Sequence, residues 1–406
     1  MSISELPTEI IQSISEDLDS SADVNALCRT SRRFCQILDT YLYLQDARQG
    51  SKALLWSAKT GVISTMEKSL NCDANVRVTN ESGQEPLLLA TWEGHVEIIC
   101  LLLEHGAVVN ICDSCGNIPL CWAADRGRVD VVKLLLAHGA DPDARDTLRD
   151  TPLLIAISGG HTEVARAIVQ GGGDLNAEDE SWDTPLQRAA RKGHVEIVKL
   201  LLENGALEND SEGRETLGVL KIVIEMRAIP TLELLLSTGV SPSVCDYDGR
   251  NGVMIAAASG ADEMAVLMAE SGVDLERRDN GGRSLLWYGC RWKCQQLTRY
   301  LLEKGLGPHI DGFVPLTGAI LGGSVAMVEV LLDLGVDLER SDVIGRTPLR
   351  IAFEGGLRDV VKFLYGKGAS LKNARLNDVQ MKLMLKFLDL PQQTQVLGTE
   401  LEGLSI

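Results

Sequence analysis

Ten cysteines and six histidines are the residues this 406-residue chain would recruit first for chemistry. Cys112 and Cys115 form a C-x-x-C pair, and Cys121 follows six residues on. Structural zinc needs four converging thiolate or imidazole ligands, and no second C-x-x-C pair exists. Cys290 and Cys294 lie one helical turn apart within YGCRWKC, again with no clear partner ligands, so packing is the expected role. His95, His105, His138, His161 and His194 recur at fixed turn positions, which points to structure; His309 stands apart. No phosphate-binding glycine loop, HExxH, GxSxG elbow or kinase signature occurs. Catalytic residues, a metal and a cofactor are therefore not expected, and the chain reads as a non-enzyme.

Charge narrows the partners. With 57 acidic and 39 basic residues the net charge is −18. Such a surface repels phosphate backbones and anionic bilayers, so neither nucleic acid nor membrane is expected as a partner. No secretory leader or membrane-length apolar run is evident. Scattered cysteines suit a reducing interior, so the expected location is intracellular, cytoplasmic or nuclear.

The elements that would position any binding residue are repeats. EPLLLATWEGHVEIICLLLEHGA from Glu85, IPLCWAADRGRVDVVKLLLAHGA from Ile118, TPLLIAISGGHTEVARAIVQGGG from Thr151 and TPLQRAARKGHVEIVKLLLENGA from Thr184 align without gaps. Pro86, Pro119, Pro152 and Pro185 are spaced by 33 residues, and Pro315 and Pro348 repeat that spacing later. Each proline suits the first turn of a short helix, where its missing N–H costs nothing. Glycines such as Gly94, Gly127, Gly160 and Gly193 should close that helix in a left-handed turn. A second amphipathic helix follows, then a polar turn such as ADPDARDTLRD. One such pair cannot bury its own apolar face, whereas stacked copies can.

This unit resembles the ankyrin repeat in its period, its TPLxxA start, its GHxEVVxLLLxxGA core and its ADxNxxD tail. The resemblance covers about residues 51–376 and implies an all-α solenoid of about ten helix–turn–helix units. Units starting near Arg214, Arg250 and Arg283 lack the TPL signature, and IVIEMRAIPTLELLL implies an insertion with a proline at a helix start. The histidine usual after TPL is replaced by Leu88, Cys121, Leu154, Gln187, Thr317 and Arg350, which implies a softer array. DVQMKLMLKFLDL, residues 378–390, reads as a closing helix before a loose tail, giving a capping region 377–406.

Residues 1–48 do not repeat. SELPTEIIQSISEDL opens with Leu6, Pro7, Ile10, Ile11 and Ile14 on one helical face, followed by a polar turn and VNALCRTSRRFCQIL. The stretch 4–45 resembles an F-box, and its fusion to the repeats resembles a fungal F-box–ankyrin architecture. The usual late tryptophan is replaced by Tyr41 and Tyr43. The resemblance implies a small three-helix domain that docks on a Skp-family adaptor of a cullin–RING ubiquitin ligase through those five residues. The repeats would then hold a protein substrate on their concave face, and the protein would be a monomer outside that complex. The alternative reading is a general ankyrin scaffold whose N-terminal helices only cap the solenoid. An enzyme hidden among the degenerate units 214–312 is a third reading, and no acid–base or nucleophile cluster there speaks for it.

Ankyrin proteins recognise partners with their hairpin tips and first helices. The candidates here are Trp92, Arg126, Trp182, Arg191, Lys192, Tyr247 and Trp292, since exposed Trp, Tyr and Arg are the usual interface anchors. Trp182 stands where a turn glycine is usual. Arg126, Arg191 and Lys192 form a mildly basic stripe, which points to an acidic partner segment.

Overall fold

A computed structural model describes residues 42–113, 116–306, 315–342 and 344–390. Its contacts divide the chain into two compact units, one ending at Ala206 and the other beginning at Leu207.

The described part of the first unit begins with a helical segment, 42–49. Five helix pairs follow: α1 (Lys52–Thr60) with α2 (Ile63–Asn71), α3 (Pro86–Glu93) with α4 (Val96–Glu104), α5 (Pro119–Asp125) with α6 (Val129–Ala137), α7 (Pro152–Ser158) with α8 (Thr162–Gln170), and α9 (Pro185–Lys192) with α10 (Val195–Glu203). First helices stack on first helices and second helices on second helices. The core repeats with the sequence: Leu87 and Ala90, Leu120 and Ala123, Leu153 and Ala156, Leu186 and Ala189 are all fully or almost fully buried. Alanine three residues after leucine keeps that face narrow, so neighbouring short helices approach closely.

Local chemistry sets the helix ends. Prolines occupy the first turns of α3, α5, α7 and α9. Thr151 and Thr184 accept from the backbone N–H of Leu154 and Gln187 as N-caps. Gly94 and Gly193 take φ of 87° and 74° immediately after α3 and α9, the left-handed turn expected of them. His161 caps α8, and its Nε2–H donates to the Asp125 carbonyl at 3.0 Å, tying one repeat to the one before. His95 does the same to Lys59 at 3.3 Å. The position that usually holds the TPL histidine is packed: Leu88, Cys121 and Leu154 are buried there.

The second unit contains α11 (Arg214–Glu225) with α12 (Ile229–Ser237), α13 (Gly252–Ala258) with α14 (Asp262–Glu270), α15 (Leu285–Arg291) with α16 (Gln295–Glu303), α17 (Pro315–Leu321) with α18 (Val325–Asp333), α19 (Pro348–Glu354) with α20 (Arg358–Gly366), and a closing helix α21 (Asp378–Phe387). α11 has 12 residues where α9 has 8, and Pro230 sits in the first turn of α12, as expected. Where proline is absent, Asn251 and Ser284 cap α13 and α15. α21 begins with a capping box between Asn377 and Gln380 and packs on α20. Among the described residues the only β-type pairings are two isolated bridges, Cys245 with Asn251 and Arg278 with Ser284. The fold of each unit is all-α. No described helix is long and apolar enough to cross a membrane.

Candidate protein-interaction surface

Between several second helices and the next first helix the described chain turns through a five-residue tip built on one acidic or amide side chain. Asp146 Oδ1 accepts from Leu148 N–H at 2.8 Å and Asp150 N–H at 2.9 Å. Asp179 does so with Ser181 and Asp183, Asp246 with Asp248 and Arg250, Asp279 with Gly281 and Arg283, and Asp342 with Ile344 and Arg346. Asn80 uses the same pattern with Ser82 and Gln84. The side chain satisfies two turn N–H groups, so the tip needs no apolar support and can project.

The fourth tip residue is left-handed. Glycine fills it at Gly83, Gly116, Gly249, Gly282 and Gly345, but Arg149 and Trp182 hold φ of 61° and 63°. That conformation costs an L-residue about 1–2 kcal/mol. The Trp182 side chain is 72% exposed, so packing does not offset that strain. It borders a groove of about 450 Å³ with Arg145, Arg149 and Asp174.

The other expected contact residues fall as follows. Trp92 on α3 packs edge-on against Trp122 on α5, ring centroids 4.4 Å apart. Arg126 stacks its guanidinium over Trp92 at 3.5 Å from the ring centroid. Arg191 and Lys192 share the end of α9, both exposed. Tyr247 stands on a tip of the second unit, 97% exposed. Trp292 caps the end of α15 near Arg291, 4.9 Å from guanidinium to ring centroid. Trp92 and Arg126 are thus brought into contact, and Trp182 immediately precedes α9, which carries Arg191 and Lys192. The basic stripe is largely neutralised within the chain: Arg191 donates to Asp183 at 2.8 and 3.1 Å, and Arg126 lies 3.8 Å from Asp125. Leu6, Pro7, Ile10, Ile11 and Ile14 lie outside the described residues.

Sequence reading missed three participants. Trp122 completes the aromatic pair. Leu148 is 62% exposed at its tip. Arg188 on α9 crosses between repeats, donating to Asp150 at 2.7 Å, to Asp179 at 2.6 Å and to Ser158 Oγ at 3.1 Å. Burial pushes the Asp179 carboxyl upward, but hydrogen bonds from Arg188, Asp183 and Ser181 outweigh it and hold the carboxyl below the usual range. The available signal was polar: TPLQRAA places arginine where neighbouring repeats carry Ile155 or Trp122.

Three of the described thiols are packing groups. Cys121, Cys290 and Cys294 are buried, and burial pushes each thiol up to about 12. Among the described residues no three His, Cys, Asp or Glu side chains stand close enough to hold a metal ion; Cys115 is outside them.

A family model described as ankyrin repeats (3 copies) matches residues 33–113, 54–146, 120–212 and 220–311. The chain is similar to potassium channel AKT2/3 of Arabidopsis thaliana, 28% identical over 142 residues, which is 34% of this chain and 18% of the channel. It is similar to the B-cell lymphoma 3 protein homolog of Mus musculus, 29% identical over 160 residues, 37% of this chain and 36% of that protein. Human protein phosphatase 1 regulatory subunit 27 is 41% identical over 61 residues, 15% of this chain and 40% of that protein. The chain therefore spans well under half the length of each.

Proposed function

The chain belongs to the ankyrin-repeat family, and from that premise we propose that it is the substrate-recognition subunit of a cullin–RING ubiquitin ligase. The ankyrin-repeat fold is a non-catalytic scaffold typical of protein–protein interaction. In this reading residues 1–48 are an F-box-like domain, 51–376 the array that grips a target protein, and 377–406 the closing region. Leu6, Pro7, Ile10, Ile11 and Ile14 contact the Skp-family adaptor by apolar burial. The target lies against the first helices and tips, with Trp92, Arg126, Trp182, Arg191 and Lys192 as contacts in the first unit and Tyr247 and Trp292 in the second. The setting is intracellular.

The observation that carries the binding role is the left-handed, exposed Trp182. A turn needs glycine there, so an exposed indole held at a conformational cost favours recognition over folding. The regulatory-subunit name of one relative is in keeping with a binding role. The plain-scaffold reading draws on a different observation. Asp46 accepts from the N–H groups of Lys52 and Ala53 at 3.1 and 3.0 Å and so caps α1. The residues leading into the array thus also finish its first helix.

The test is binding of a purified Skp-family adaptor to the full chain and to its Leu6→Asp/Ile10→Asp variant. Binding by the parent, lost in a variant with an unchanged helical spectrum and Tm, supports the ligase role. No binding by either, with a lower Tm for the variant, leaves the scaffold reading.

A further inference from the structure

The repeats of the chain serve as one another's controls. In four tips the outer oxygen of the founding aspartate is held by an arginine. Arg188 Nη2 donates to Asp179 Oδ2 at 2.6 Å. Arg250, Arg283 and Arg346 place Nε on Oδ2 of Asp246, Asp279 and Asp342 at 2.9, 2.6 and 2.9 Å. The arginine comes from one of two places, either four residues after the aspartate or nine. Asp146 has neither. Asp150 stands four residues on and Ile155 nine residues on. Among the described residues no side chain donates to Asp146 Oδ2.

The surroundings of Asp146 fit an incoming guanidinium. A groove of about 400 Å³ lies between α5, α7 and this tip. Trp122, Leu148 and Ile155 supply apolar wall, and Asp125, Asp146 and Asp150 supply three carboxylates; no Lys or Arg lines it. Asp150 Oδ2 is taken by Arg188, but its Oδ1 is buried with no hydrogen-bond partner. The buried Cys121 thiol at the floor also registers the negative field, since after burial itself Asp146 is the next cause of its upward shift.

We propose that this groove receives an arginine side chain from the bound protein, which completes at Asp146 the carboxylate–guanidinium pair that four sister tips make internally. The aliphatic stem lies along Trp122, Leu148 and Ile155, and the planar head meets Asp146 Oδ2. Lysine fits less well, because all four sister tips hold their aspartate with a guanidinium, whose planar N–H fork an ammonium does not reproduce. The partner segment is thus basic at this point, opposite in sign to the partner that the Arg126, Arg191 and Lys192 stripe would have selected. The proposal rests on the protein-binding reading above and names the chemistry of that partner; it is independent of the adaptor.

The test uses the full chain. A random dodecapeptide library is selected on it, and the best peptide is synthesised with a fluorescein label for Kd measurement. The expected peptide contains arginine, and replacing that arginine with citrulline weakens binding by about tenfold or more. Ile155→Arg supplies the cation in cis, as Arg188 does for Asp179, and weakens binding similarly without lowering Tm. Asp146→Asn, which keeps the shape and the turn, also weakens it. Selection of no peptide, selection of peptides lacking arginine, or unchanged affinity in either variant overturns the proposal. Adaptor binding by the same variants is measured alongside, so loss of the groove reading and loss of the ligase reading are told apart.

Discussion

The tips of the two units solve one problem with different residues. In the second unit four of them read DSEGR, DYDGR, DNGGR and DVIGR, with glycine fourth and arginine fifth. In the first they read NESGQ, DSCGN, DTLRD and DESWD, and the fifth residue is never basic. Three of the second unit's tips close their own charge: Asp246, Asp279 and Asp342 each hold the arginine four residues on. The first unit closes the Asp179 tip with Arg188 from α9, leaves Asp146 without an arginine, and places left-handed Arg149 and Trp182 on those two tips. A tip that satisfies itself has little left to offer a partner. On the proposal above, the difference puts the arginine-receiving tip in the first unit, alongside the contact proposed for Trp92, while Tyr247 and Trp292 remain the contacts proposed for the second unit.

The largest expected effect is in the self-contained tips. The Asp279 side chain is fully buried and accepts from Arg283 at 2.6 Å and from the Tyr288 hydroxyl at 2.7 Å. Asp279→Ala strips both and should cost about 3–5 kcal/mol by urea unfolding. The same change at Asp146 should cost only about 1 kcal/mol, because turn N–H groups alone are lost. Equal losses would erase the contrast between the units.

Arg188→Met should cost about 3 kcal/mol, since it leaves Asp150 and Asp179 facing each other without a cation. Arg346→Met, at a more exposed pair, should cost about 1 kcal/mol or less. Acid sharpens the same point. The carboxyls of Asp179, Asp279 and Asp342 are held below their ordinary range: burial opposes this, and hydrogen bonds from arginine and tip N–H groups prevail. Their stabilisation is therefore complete above the unfolded value of about 3.9 and is lost as pH falls through the lower folded values. Unfolding midpoints should drop steeply below about pH 4, and less steeply in Asp279→Asn. The smallest effect is a gain. Trp182→Gly relieves a left-handed side chain and should raise stability by about 1 kcal/mol while weakening partner binding.

Much of the scaffold was legible because a 33-residue period is forced by stacking. The Pro-Leu-x-x-Ala helix, its glycine stop and the Leu-rich second helix all do local work that one sequence displays. Even Pro230 at the start of α12 followed from laying IVIEMRAIPTLELLL against the repeat. The surface was legible only where a residue broke a local rule, as Trp182 does. Trp122 looked like one more apolar helix residue, and its pairing with Trp92 depends on two helices meeting. Arg188 was hidden for the same reason, since its two carboxylates come from different tips. The basic stripe was legible as charge but not as neutralised charge, because Arg191 spends its donors on Asp183, eight residues earlier.

The most direct test of the central claim is hydrogen exchange over the full chain, with and without the selected arginine-containing peptide. The account predicts slowed exchange confined to the tips and first helices between residues 113 and 192, with the second unit's tips unchanged. Protection centred instead on residues 246–250, 279–283 and 342–346 would contradict it.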